Sequence, residues 1–106
     1  MIFQTLYFSA LRGELLLVNG GFCHWHLRKD GQLTIREIIV LPKHQNEGIG
    51  TQMLEELKTV KGATSILSRC PADLLANKWY KNRGFVLCAK QLSRTKRKIN
   101  VWRLDL

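Results

Sequence analysis

Acidic residues are scarce in this chain of 106 residues: eight Asp and Glu stand against seventeen Lys and Arg, a formal net charge of +9. A surface so short of carboxylates attracts anionic ligands and partners. Cysteine is also sparse. Cys23, Cys70 and Cys88 are odd in number and far apart, with no Cys-x-x-Cys pair, which argues against a disulfide framework. They read as reduced, buried small hydrophobes of a cytoplasmic protein. Cys23, His24 and His26 lie close in sequence, but neighbours on a strand point to opposite faces and no second ligand pair follows, so no metal is expected. The apolar runs are broken by Arg12, Glu14, His24 or Arg36, leaving no segment near the ~20 residues of a membrane span. Met1–Leu11 has neither a basic n-region nor a small-residue cleavage site, which argues against a signal peptide. There is no repeat, linker or low-complexity tail. With 45% hydrophobic residues, the composition is that of one globular domain over residues 1–106.

What is present divides into strands first and alternating elements afterwards. Glu14 to Val18 is a short β-type run, Asn19-Gly20 a hairpin turn, and Phe22 to Leu27 the returning strand; Lys29-Asp30-Gly31 then turns the chain into Leu33 to Val40. A helix is expected from about Gly48 to Lys61. Ile49, Met53, Leu54, Leu57 and Val60 recur at helical spacing, with Gly62 as the stop. A strand near Thr64 to Ser68 and a helix from about Ala72 to Arg83 follow, with Pro71 at its start and Leu75 and Trp79 one turn apart for packing. Strands at Phe85 to Lys90 and Ile99 to Leu104 close the chain around a basic turn. A meander followed by β-α-β-α-β implies a mixed, mostly antiparallel α/β sheet with two main helices and one parallel pair.

The most informative segment is Val40-Leu41-Pro42-Lys43-His44-Gln45-Asn46-Glu47-Gly48-Ile49-Gly50-Thr51, which joins a β-branched run to the first helix. Glycines without Cβ let a ligand approach the backbone, and the free N–H groups and dipole of a helix start favour an anion there. The dinucleotide order Gly-x-Gly-x-x-Gly is absent, as is the Gly-Lys-Ser/Thr ending of a P-loop. The spacing Gln45-x-x-Gly48-x-Gly50 resembles the acyl-CoA pyrophosphate loop of the GNAT superfamily of N-acyltransferases. A second stretch, Asp73 to Phe85, resembles the late signature of the same family, with Ala76, Tyr80, Gly84 and Phe85 in register. Asp73 stands where that family usually has Asn, and Trp79 where it usually has Phe.

The resemblance covers Thr34 to Phe85 and implies a GNAT fold, acetyl-CoA as co-substrate and transfer of its acetyl group to a primary amine. Acyl transfer from a thioester to an amine needs a neutral nucleophile, stabilisation of the oxyanion and a proton for the departing thiolate. By the resemblance, backbone groups of Ile38, Ile39 and Val40 would bind the pantetheine. Amides of Gln45, Asn46, Glu47, Gly48, Ile49, Gly50 and Thr51 would hold the pyrophosphate, and Asp73 and Asn77 would lie along the cofactor. Tyr80 is the matched acid. Glu37 is a candidate base, although its register differs from the usual glutamate of histone-type relatives, where Thr34 stands. Ser68 occupies the place that carries a base in some N-terminal acetyltransferases, and His24 and His26 are the alternatives.

Two expectations concern partners. The front of the chain is too short for the helices that usually wall the acceptor site, which predicts a homodimer or a macromolecular acceptor completing it. Lys90, Arg94, Lys96, Arg97, Lys98 and Arg103 are too many for one cofactor. A solvated hairpin accounts for them, and a nucleic-acid surface is the alternative. The second class of function left open is therefore a basic nucleic-acid-binding module on a GNAT scaffold with vestigial or regulatory acyl-CoA binding.

Overall fold

The computed structural model describes Gln4 and residues 13–106. The reading of Met1–Leu11, and with it that of a shortened front, lies outside the described residues apart from Gln4. The elements are β1 (Leu15–Val18), β2 (Gly21–Leu27), β3 (Gln32–Val40), a 3₁₀ turn (Pro42–His44), α1 (Ile49–Lys58), β4 (Ser65–Pro71), α2 (Ala76–Asn82), β5 (Val86–Leu92) and β6 (Lys98–Asp105). They form one six-stranded sheet in the order β1-β2-β3-β4-β6-β5. All neighbours are antiparallel except β3 and β4, the parallel pair joined by α1. The mixed sheet with two helices is the architecture expected from the sequence.

Both helices pack on one face of the sheet. Ile49, Met53, Leu54 and Leu57 are the buried stripe of α1, and they meet Leu16, Val18, Cys23, Ile38 and Val40 of the meander in one core. The α2 side of that core is aromatic. Tyr80 lies edge-on to Trp79 and Phe85, each with ring centroids 5.1 Å away, and is stacked on Trp102 at 6.5 Å. Edge-to-face rings add to the area they bury. Among the described residues no helix is long and apolar enough to cross a membrane.

The boundaries depart from expectation where local hydrogen bonding competes with the helix. α1 ends at Lys58 rather than near Lys61: the Thr59 hydroxyl donates to the Glu56 carbonyl at 2.6 Å, and Gly62, at φ 92°, sits in the turn beyond. α2 begins at Ala76, not Ala72. Pro71 ends β4 instead of starting a helix, and the Ala72 N–H donates to Lys98 across the sheet at 2.9 Å. Leu75 is 92% exposed, so it does not pack one turn below Trp79 as its spacing suggests. Cys88, expected to be buried, is exposed on the edge strand β5, while Cys23 and Cys70 are buried as expected.

The buried Cys23 gives the fold an alkaline limit. Burial pushes its thiol from 9.0 up to about 12, because a thiolate is poorly solvated in the core. The folded chain therefore holds a proton that the unfolded chain gives up above pH 9. Stability from this group is full below that pH and is lost between 9.0 and about 12. Urea titrations should show unfolding free energy falling over this range, with Cys23 contributing up to about 1.4 kcal/mol per pH unit. Cys23→Val should flatten that slope; an unchanged slope would assign the alkaline loss to other groups.

Candidate active site

The parallel ladder between β3 and β4 stops early. Its pairs run from Gln32–Ser65 to Ile35–Ser68, yet β3 continues to Val40 and β4 to Pro71. Beyond Ile35 the flank of β3 that faces β4 has no strand partner, while β2 still pairs along its other flank as far as Val40. A notch thus opens between Arg36–Val40 and Arg69–Pro71, lined on one side by unpaired backbone donors and acceptors. These include the backbone of Ile38 and the Val40 N–H; Ile39, between them, turns its backbone groups to β2.

A β-bulge sits where the notch begins. His24 pairs with Glu37 and Trp25 with Ile35, leaving Arg36 as the extra residue on β3. A bulge reverses the alternation of side chains. Leu33 and Ile35 point to the helices before it, and Ile38 and Val40 do so after it. Glu37 and Ile39 are therefore turned to the opposite face, beside His24 and Phe22. Next along β2 on this face, His26 is hydrogen-bonded through Nδ1 to the Glu14 carboxyl group. The three candidate bases Glu37, His24 and His26 share this face of the sheet. The pattern Leu33, Ile35, Ile38, Val40 already contained the phase change, with Arg36-Glu37 breaking the period of two.

The loop after β3 lies at the mouth of the notch. Gln45 donates from its side-chain amide to the Val40 carbonyl at 3.3 Å, and His44 and Glu47 pair at 3.3 Å. Gly48 caps α1 at φ 79°, a left-handed conformation that disfavours side chains. No side chain caps this end, the first turn has no acidic residue, and the first intrahelical bond runs from the Gln52 N–H to the Gly48 carbonyl at 2.9 Å. The N–H groups of Ile49, Gly50 and Thr51 are thus left without intrahelical acceptors. A Cβ on Gly48 would meet nothing within 4 Å, whereas one on Gly50 would come within 3.3 Å of Trp79. One glycine leaves open space at the helix start. The other lets α2 pack against α1.

Tyr80 reaches the apex of the notch from the helix face. Ser68, the last β4 residue of the parallel ladder, donates its hydroxyl to the Tyr80 oxygen at 2.8 Å. Tyr80 is only 4% exposed. Burial raises its pKa above the usual phenol value, outweighing the lowering effect of the Ser68 hydrogen bond. It stays protonated through neutral pH, and because the serine supplies its own proton, the phenol proton is not consumed by that contact.

Asp73 and Asn77, both expected along the cofactor from the family resemblance, have other partners. Asp73 is bonded to Arg97 of the β5–β6 turn at 3.1 Å. Asn77 donates to the carbonyls of Pro71 at 2.9 Å and Leu74 at 2.7 Å, and accepts from Asn100 at 3.0 Å and the Trp102 indole at 2.9 Å. Both polar atoms of its amide are engaged within the chain, pinning the start of α2 to β6. No sequence spacing marks the Asn77–Trp102 pair. Among the described residues no group of three or more His, Cys, Asp or Glu side chains is placed to hold a metal.

A family model described as the acetyltransferase (GNAT) domain matches residues 4–87. No curated protein sequence matches the chain. Among solved structures, Ard1 from Thermoplasma volcanium is similar at 17% identity and a TM-score of 0.72, covering 81% of this chain and 62% of that one. The ribosomal-protein-S18-alanine N-acetyltransferase of Escherichia coli is similar at 20% identity and a TM-score of 0.69, covering 87% of this chain and 69% of that one. A Bacillus subtilis acetyltransferase in complex with CoA gives 20% identity and 0.68, with coverages of 82% and 69%. At such identities the likeness is one of fold, and the chain spans less than two thirds of the Thermoplasma protein.

The two polar residues of the α2 region should separate in their effect on stability. Asn77→Ala leaves the Trp102 indole and two carbonyls without their partner and should cost about 1–3 kcal/mol in urea unfolding. Asp73→Ala removes an exposed ion pair and should cost about 0–1 kcal/mol. Equal losses would mean that Asn77 does not anchor the helix.

Proposed function

The chain belongs to the GNAT acetyltransferase family, and from that premise we propose that it transfers an acetyl group from acetyl-CoA to a primary amine. One observation carries this reading: the gap in the β3–β4 ladder is bracketed by Tyr80 on the helix face and Glu37 on the other, with an uncapped helix start at its mouth. Such a gap admits two reactants from opposite sides of one sheet.

Acetyl-CoA supplies an acetyl group activated as a thioester. The amides of the Gln45 to Thr51 loop, with the positive end of α1, hold its pyrophosphate, and the open space at Gly48 accepts it. The notch-facing backbone of Ile38 and Val40, on either side of Ile39, receives the pantetheine arm and polarises the carbonyl through its N–H groups. Tyr80 gives its proton to the departing sulfur, with Ser68 fixing the direction of the phenol. Glu37, turned to the face away from the helices by the bulge, takes the proton of the acceptor amine, directly or through water, with His24 as its cross-strand neighbour. Asp73 and Asn77 act by holding α2 and the β5–β6 turn. The row Leu17, Phe22 and Ile39 beside Glu37 offers the acceptor an apolar contact; Leu17 and Ile39 are exposed. Buried Cys23 and Cys70 support a reducing, cytoplasmic setting.

Acetyl-CoA should raise the melting temperature, since a ligand selective for the native state stabilises it by mass action. Gly48→Val should abolish that rise by filling the space at the helix start, measured as the ligand-induced increment so that backbone strain cancels. No increment in the wild type at saturating acetyl-CoA would refute the ligand assignment.

Tyr80→Phe should lower turnover about ten-fold or more while acetyl-CoA affinity holds, because only the hydroxyl is lost. Glu37→Gln should lower turnover similarly, because the amide cannot accept the proton. Unchanged turnover in single-turnover kinetics would leave proton transfer to solvent.

A further inference from the structure

We propose that the α2–β5–β6 side of the molecule is a binding surface for the phosphate backbone of nucleic acid, separate from the acyl-transfer site. The observation is an asymmetry of charge that the fold makes spatial. Between Leu74 and Leu104 there is no acidic residue, while nine of the seventeen basic residues lie there. This stretch alone carries a formal charge equal to that of the whole chain, and the remainder is close to neutral.

The sheet order gathers that stretch on one side. β6 and β5 lie beyond β4 at the far edge from β1, and Asp73 and Asn77 tie the start of α2 to the β5–β6 hairpin. α1, whose first turn offers the anion site already described, packs instead over β1, β2 and β3. All nine cations are exposed. Asp73 neutralises Arg97 and Asp105 neutralises Arg103; the other seven have no ion pair among the described residues. Like charges on adjacent strands repel one another, and among the described residues only those two carboxylates pair with them.

Shape supports an anion as the occupant. A cavity of about 340 Å³ lies between the hairpin and the Ala72 turn, lined by Lys90, Leu92, Lys98, Ile99 and Asn100. In register, Lys90 pairs with Asn100 and Leu92 with Lys98, so the two lysines converge on one concavity from neighbouring strands. Its mixed lining suits a phosphate at the ammonium groups with a base or sugar against Leu92, which shares their face. Cations also occupy the hairpin tip, at Arg94 and Lys96, and the opposite face of the sheet, at Arg103. A charged ridge of this kind follows a flexible polyanion better than it lies flat on a membrane, where one planar face would carry the charge.

The test is fluorescence anisotropy with labelled single-stranded RNA and duplex DNA of about 20 nucleotides, longer than one binding site, over a series of salt concentrations. The wild type should bind at physiological salt, with affinity falling steeply as salt rises. Replacing Lys90, Lys96 and Lys98 together by Ala should weaken binding about ten-fold or more and reduce the log–log salt slope by about two to three. Replacing Arg28, Lys29 and Lys61 by Ala changes net charge equally, away from this surface, and should leave affinity nearly unchanged. Equal weakening in both triple variants would overturn the proposal, as would no binding by the wild type. Tighter binding to phosphatidylserine vesicles or polyglutamate than to either nucleic acid would overturn it as well. Circular dichroism melts of all three proteins establish that losses are not unfolding, and neither substituted set includes a residue assigned to acyl transfer.

Discussion

The architecture depends on one interruption: the parallel ladder between β3 and β4 ends at Ile35 and Ser68 although both strands go on. A sheet normally satisfies its backbone groups by continuous pairing, and unpaired donors and acceptors are costly unless solvent or a ligand takes them. Stopping the ladder creates a polar slot through an otherwise apolar layer. The bulge at Arg36 begins where pairing with β4 ends, while β4 keeps its antiparallel pairing with β6 through to Pro71. The slot is therefore held open between two strands that are each secured on their far side.

Other features follow from that slot. Tyr80 enters it from the helices because α2 is fixed by Asn77 to Trp102 and Asn100, and because Gly50 lets Trp79 approach α1. Glu37 meets it from the opposite face because of the bulge. The loop from Gln45 to Thr51 reaches its mouth because it continues directly from β3. Tyr80, Glu37 and the glycine loop come from three elements, and each is positioned by backbone pairing or helix packing rather than by contacts with one another.

Charge is distributed on a different plan. The meander and α1, which build the slot, are nearly balanced in charge, whereas α2, β5 and β6 carry the excess. β5 is exposed along its whole length, so the cation on it, Lys90, does not conflict with a core. Opposite edges of one sheet thus have opposite constraints: near β1 to β3 the side chains serve packing and the reacting centre, and near β5 they are free to meet solvent or a polyanion.

Much of this was legible in the sequence because it rests on local periodicity and turn chemistry. The meander, the stripe of α1, the glycine loop and the Tyr80 helix all follow from spacing within a few residues, which is the range over which backbone geometry repeats. Helix ends were misplaced at Thr59 and Pro71, where a side-chain hydroxyl and a cross-sheet hydrogen bond decided the boundary. Leu75 and Cys88 defied their apolar character because burial depends on what lies across from a residue, not on the residue itself. By itself the sequence determined the element order, the glycine loop at the start of α1 and the excess of positive charge. Only the tertiary structure decided that the β3–β4 ladder breaks at Ser68, that Glu37 and Tyr80 lie on opposite faces of that break, and that Asn77 serves Trp102. Each joins residues distant in the chain, and strand register and packing, which set those meetings, are properties of the whole sheet.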